Sequence, residues 1–213
     1  MSLKVILEKI QEELNGREKV REEVNKDMRK ATRFSKQAIQ VSHRERFDDA
    51  KTMLEEAKRL FSKLRETARD HPDLFYSGSV GAAFEEYTEA HLLLTLIKEN
   101  RFVHPEEIGV PFTPYVLALG DVVGELRRRA LDLIRNGDAG AAEESLEMME
   151  HIYSELTALD DAYIIINGLR RKGDVARRLI EITRGDITSE VRRSALENSV
   201  SKLKELIDKE RQG

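Results

Sequence analysis

Residues 3–41 read LKVILEKIQEELNGREKVREEVNKDMRKATRFSKQAIQV, and this stretch decides the fold class. Leu3, Leu7, Ile10 and Leu14 recur at coiled-coil spacing, and Val20, Val24, Met28, Ala31 and Ala38 roughly continue the stripe. Apolar residues three and four apart share one helix face, whereas a half-buried strand needs them at every second position. The stretch contains no proline, and Gly16 is a mild weak point. It therefore predicts one long amphipathic helix.

The rest of the chain follows the same pattern. The only prolines are Pro72, Pro105, Pro111 and Pro114, all in the middle third, so long helices are free to form before and after it. A second helix is expected over 46–70, ended or sharply kinked by His71-Pro72-Asp73. Ser77 or Ser79 caps a third, running to about Asn100. Residues 101–113, with two prolines and Gly109, read as a loop. Thr113-Pro114 opens the next helix, which ends at Asn136-Gly137-Asp138, where glycine supplies a left-handed cap. Further helices are expected over 139–158 and over 163–184. The second of these is interrupted around Gly168 or Gly173 and capped by Gly185. The last helix covers 188–209, with Val191, Leu196, Val200, Leu203 and Ile207 as its stripe. The expected fold is all-α, a bundle of about seven amphipathic helices without strands or internal repeats. The N- and C-terminal stripes are equally suited to subunit contacts and to packing within one monomeric bundle.

Composition narrows the chemistry. Cysteine is absent, which excludes disulfides, thiolate metal sites and a cysteine nucleophile. The start of the chain lacks a signal-peptide pattern, and no apolar run is long enough to span a membrane, so the expected location is cytoplasmic. The net charge of −4 argues against a strongly basic, non-specific nucleic-acid binder, so any RNA contact must come from local basic patches. HExxH, P-loop, GxGxxG and GxSxG patterns are all missing. Aromatics are scattered at 6%, too sparse for an evident base-stacking platform. Of the five histidines, His91 lies off the face shared by Glu86 and Glu89 and reads as packing or capping.

Two acidic constellations stand out. In Phe84-Glu85-Glu86-Tyr87-Thr88-Glu89-Ala90, Glu86 and Glu89 share a helix face that continues to Leu93, Leu96 and Ile97. Carboxylates directed toward an apolar side are costly unless paired, protonated or bound to a cation. In Leu119-Gly120-Asp121-Val122-Val123-Gly124-Glu125-Leu126, Asp121 and Glu125 also share a face, among apolar flanks. Gly120 and Gly124 each cost about 1 kcal/mol relative to alanine in a helix, and their spacing allows close approach of a neighbouring helix or ligand. Four carboxylates from two helices can form an oxygen-rich site for Mg²⁺ or Mn²⁺. Such a metal polarises a phosphodiester, activates water and steadies the leaving oxygen. Ordinary salt bridging is the alternative, because same-face acidic pairs arise often by chance among 40 acidic residues.

Glu86-Tyr87-Thr88-Glu89-Ala90 resembles the helix motif of TRAX, the catalytic partner of translin. Residues 117–126, LALGDVVGEL, resemble the family segment carrying an Asp and, four residues on, a Glu. Asn136-Gly137-Asp138 and the following helix with Tyr153 fall at the family's spacing, and residues 17–40 resemble its first long helix. The resemblance to the translin/TRAX family spans about residues 17–195 and implies one translin-like helical domain over 1–213. It also implies a closed barrel of subunits, octameric in the family, and RNA or single-stranded DNA as partner. The TRAX-like catalytic and metal-binding acids carry over to Glu86, Glu89 and Asp121, with Glu125 beside them, and Mg²⁺ (or Mn²⁺) as cofactor. Translin's own first motif lacks the paired acids, so the chain is TRAX-like. It resembles compact archaeal or bacterial-style relatives, which could build the assembly from one kind of subunit.

The expected activity is thus a metal-dependent endoribonuclease acting on single-stranded or small structured RNA. The alternatives are a non-catalytic translin-like binder of RNA or single-stranded DNA, and a helical scaffold. Arg128 and Arg129 lie within one turn of Glu125 and could reach a phosphate, or instead serve as a solvated face or pair with Glu125 along the helix. Arg21, Arg29 and Arg33, with Lys26, Lys30 and Lys36, form a basic cluster on the first helix. Arg170-Arg171-Lys172, Arg177-Arg178 and Arg192-Arg193 form another. Phosphate contacts from these would be salt-dependent and sequence-tolerant.

Overall fold

A computed structural model describes residues 2–159 and 161–212. All regular structure among them is helical: α1 (Leu3–Ser42), α2 (Phe47–Asp70), α3 (Pro72–Phe75), α4 (Gly78–Glu99), α5 (Pro105–Ile108), α6 (Phe112–Arg135), α7 (Ala139–Thr157), α8 (Ala162–Ile165) and α9 (Leu169–Gln212). Three of these, α3, α5 and α8, are single turns of four residues. No described helix is long and apolar enough to cross a membrane. The chain divides into two compact units, one up to Ala118 and one from Leu119 onward, so that the division falls within the residues of α6.

In the first unit, α1 packs on both α2 and α4. Its buried face includes Val24, Met28, Ala31 and Ala38, the later part of the expected stripe, together with Ile39. Leu3, Leu7, Ile10 and Leu14, the earlier part, are exposed. The core centres on Phe61 of α2, whose ring stacks on Phe84 at 4.3 Å and tilts against Tyr87 at 5.0 Å. Such offset pairs add about 0.5–1.5 kcal/mol beyond the area they bury. As expected, Pro72 stops α2; it then occupies the first turn of α3, where its missing N–H costs nothing. Ser77 is the N-cap residue of α4.

Two expectations fail between 101 and 114. The loop over 101–113 contains α5, because Pro105 starts a turn and Glu107 closes a capping box with His104. The Glu107 carboxylate accepts from the His104 backbone N–H at 2.7 Å, which holds its pKa below the usual value. The next helix starts at Phe112 rather than at Pro114. Proline is tolerated there, since first-turn N–H groups have no intrahelical partner.

In the second unit, α7 packs on α9, and Leu146, Met149, Ile152 and Leu156 of α7 are buried. Gly137 after α6 and Gly168 before α9 have φ of +82° and +89°, the left-handed conformations their turns require. The interruption therefore falls at Gly168, and Gly173 lies inside α9. Gly185 does not end a helix: α9 runs 44 residues without a break. Tertiary contacts override the glycine signal. Ile187 is buried, and Arg127 of α6 binds Thr183 at 2.7 Å and Asp186 at 3.0 Å, gripping α9 on both sides of Gly185.

Candidate acidic centre and basic helices

Helix α4 positions the first acidic pair. Phe84, Tyr87, Thr88 and Ala90 are buried, and the Thr88 hydroxyl is satisfied by donating to the Phe84 carbonyl at 2.7 Å. Burial of that face leaves Glu86 and Glu89 half-buried at its margin. The Glu86 carboxylate, 27% exposed, lies 3.1 Å from the Lys36 ammonium, which α1 carries beside its buried Ser35 and Ala38. Glu89 is also engaged in an interaction.

Helix α6 positions the second pair. Val122, Val123 and Leu126 are buried, leaving Asp121 and Glu125 part-exposed. Lys172 in the first turn of α9 donates to Asp121 Oδ2 at 2.5 Å, with the lysine side chain 22% exposed and the aspartate 35%. Gly120 makes this contact possible: a Cβ there would lie 2.8 Å from Lys172 Cβ. The close helix approach read from the two glycines thus occurs at Gly120. At Gly124 a Cβ would meet only a Leu179 methyl at 3.9 Å. Glu125 lies 3.7 Å from Arg128, a partly exposed i,i+3 pair worth about a few tenths of a kcal/mol.

Among the described residues, neither unit by itself gathers three Asp, Glu or His side chains into a metal-binding group. Mg²⁺ does not require one, because it keeps several waters and commonly takes only one or two protein carboxylates plus substrate phosphates. The donor set, all carboxylate oxygen, suits Mg²⁺ or Mn²⁺ and not a soft metal. Each pair already lies against a cation of the chain, the kind of partner a divalent ion would replace.

The expected RNA-contacting arginines differ in their freedom. Arg29 is exposed, Arg21 is paired with Glu18 at 2.8 Å, and Arg33 lies 5.8 Å from the Phe34 ring. Arg128 is exposed beside Glu125, whereas Arg129 is half-buried and engaged. In the run 170–172, Arg170 and Arg171 are exposed and Lys172 alone turns inward. Sequence reasoning placed Lys36 and Lys172 in basic clusters and missed that Lys36 partners Glu86 and Lys172 partners Asp121. The glycine before Asp121 was the available signal, but it does not say which residue fills the gap. His91 is a packing residue: its ring meets Tyr87 edge-on at 4.5 Å.

A family model described as the Translin family matches residues 19–182. The chain belongs to the Translin family. An uncharacterised protein of Methanocaldococcus jannaschii is 30% identical over 192 residues, 89% of this chain and 85% of that protein. Solved translin-fold structures are also similar. A complex of AfC3PO with duplex RNA superposes with a TM-score of 0.76 at 32% identity, covering 86% of this chain and 95% of that one. Apo-NeC3PO gives 0.76 at 27% identity, with 86% and 96% covered. Glu86, Glu89, Asp121 and Glu125 all lie within the span matched by the Translin model.

Proposed function

We propose that this Translin-family protein binds RNA and cleaves it as a metal-dependent endoribonuclease of the TRAX type. RNA binding is supported by the similarity to AfC3PO, which has been solved with duplex RNA. The cleavage reading is carried by one observation. Both acid pairs of the TRAX-like motifs lie half-buried within the matched span, and each is held against a cation of the chain rather than fully solvated.

In this reading Glu86, Glu89, Asp121 and Glu125 hold Mg²⁺ or Mn²⁺. The metal, when bound, would polarise the phosphodiester and ease the attack of water. Arg128, exposed one turn beyond Glu125, steadies a phosphate of the substrate, and Arg129 supports it. Arg21, Arg29 and Arg33 add sequence-tolerant phosphate contacts along α1. The family match crosses the boundary at Ala118, which supports treating residues 1–213 as one translin-like domain. The exposed stripes of α1 and α9 support a homo-oligomer, with the family's octameric barrel as the form. Single-stranded DNA is a second candidate ligand, and the cytoplasm the expected compartment.

The test is incubation with labelled single-stranded RNA in Mg²⁺, in Mn²⁺ and in EDTA, beside Asp121→Asn. Cutting that needs metal and is lost in the variant is the expected result. Binding without cutting in either metal would replace the nuclease by a translin-like binding protein. Full activity in Asp121→Asn would remove Asp121 from the centre.

A further inference from the structure

We propose that Lys172 is a built-in competitor for the metal. Its ammonium holds Asp121 in the metal-free protein and must leave before a divalent cation can bind there. This rests on the assignment of Asp121 to the metal centre.

The contact is built into the fold. Leu169, fully buried, anchors the start of α9, and the Lys172 backbone N–H donates to the Gly168 carbonyl at 3.1 Å. Gly120 then lets the Lys172 Cβ approach α6 so closely that any side chain at position 120 would collide with it. The stem is thereby fixed against α6 at the residue preceding Asp121, and the ammonium reaches Oδ2. A surface lysine paired by chance is held by no such constraint. The flanking Arg170 and Arg171 are exposed.

The two cations compete for one carboxylate, because an ammonium already held at Oδ2 weakens Asp121 as a ligand and repels a second positive charge beside it. Mg²⁺ binds carboxylate oxygen at about 2.1 Å, which would bring it within a few ångströms of the ammonium. Repulsion between a double and a single positive charge is twice that of two unit charges at the same separation. The ammonium must therefore withdraw, and only the outer bonds of the side chain need turn, because the stem is held at Gly120. Lysine suits this role better than arginine: it is a compact, strongly hydrated point charge on a flexible stem, without the two-pronged grip of a guanidinium. The occupied Asp121 stays paired while no metal is present, which spares the protein an uncompensated, part-buried carboxylate.

The experiment is a titration of the purified full-length protein with Mn²⁺ alone, following free Mn²⁺ by electron paramagnetic resonance. Wild type, Lys172→Met, Lys172→Gln, Lys172→Arg and Asp121→Asn are compared, with far-UV circular dichroism confirming the fold. Both neutral variants should bind Mn²⁺ roughly fivefold more tightly than wild type, the factor expected from removing a competing pair worth about 1 kcal/mol. Lys172→Arg should bind no more tightly than wild type. A merely structural lysine would give the opposite sign, since its loss would loosen α9 from α6 and weaken the site. Unchanged or weaker Mn²⁺ binding in both neutral variants, with Asp121→Asn still abolishing it, would overturn the competitor role alone. Absence of any Asp121-dependent Mn²⁺ binding in all variants would instead overturn the metal centre itself.

Discussion

A Cβ added to Gly120 would stand 2.8 Å from the Cβ of Lys172, while one added to Gly124 would find its nearest outside neighbour, a Leu179 methyl, at 3.9 Å. The two glycines are one turn apart on one helix, yet they face different constraints. Alanine gains about 1 kcal/mol of helix propensity at either site. At Gly120 the colliding atom is the base of a side chain, which moves only if α9 moves, and overpacking of this kind costs about 1–3 kcal/mol. Gly120→Ala should therefore be destabilised, and Gly124→Ala neutral to about 1 kcal/mol more stable. Urea unfolding of the two variants checks the difference in sign.

Phe61 carries the first unit's aromatic cluster, with only 1% of its surface exposed. Phe61→Ala leaves a cavity against Phe84 and Tyr87 and should cost about 3–5 kcal/mol. Leu7→Ala, at a position 54% exposed, should leave the stability of the isolated subunit almost unchanged. Chemical denaturation at low protein concentration separates these two cases.

His91 should make stability fall with acid. Burial, reinforced by the positive charge of Lys58 and opposed by Glu107, lowers its pKa from 6.5 to about 4. Its Nε2 is buried without a hydrogen-bond partner among the described residues. Between pH 6.5 and 4 the unfolded chain takes up a proton that the folded protein refuses, so stability drops as pH falls through this window. The slope from this one group is at most about 1.4 kcal/mol per pH unit. Above pH 6.5 both states are neutral and the effect vanishes. His91→Phe should flatten the pH dependence in that window, as read from melting temperatures at pH 7 and pH 5.

The exposed stripe of α9, including Leu196, Val200, Leu203 and Ile207, should assemble subunits. A helix face of this kind, left in water, is the usual mark of a missing partner helix. Leu196→Glu/Leu203→Glu should lower the mass seen by light scattering while helical content stays constant. An unchanged mass would assign assembly to another surface.

The stripe over 3–41, the prolines of the middle third and the Asn136-Gly137-Asp138 turn determined the all-α class and most helix boundaries, because local periodicity and backbone restriction act through near neighbours in the chain. The acid pairs were legible for the same reason: residues three and four apart must share a face. What acts across the fold was not legible. Nothing within 184–188 says that Gly185 continues a helix; the buried Ile187 and the grip of Arg127 on Thr183 and Asp186 decide it. The split of the α1 stripe into an exposed first half and a buried second half depends on where α2 and α4 reach. Lys172 reads as one charge in a basic run, and only the packing of α9 against Gly120 makes it the partner of Asp121. Periodicity fixes which way a side chain faces on its own helix, whereas its partner is set by contacts between segments some fifty residues apart, here Asp121 and Lys172.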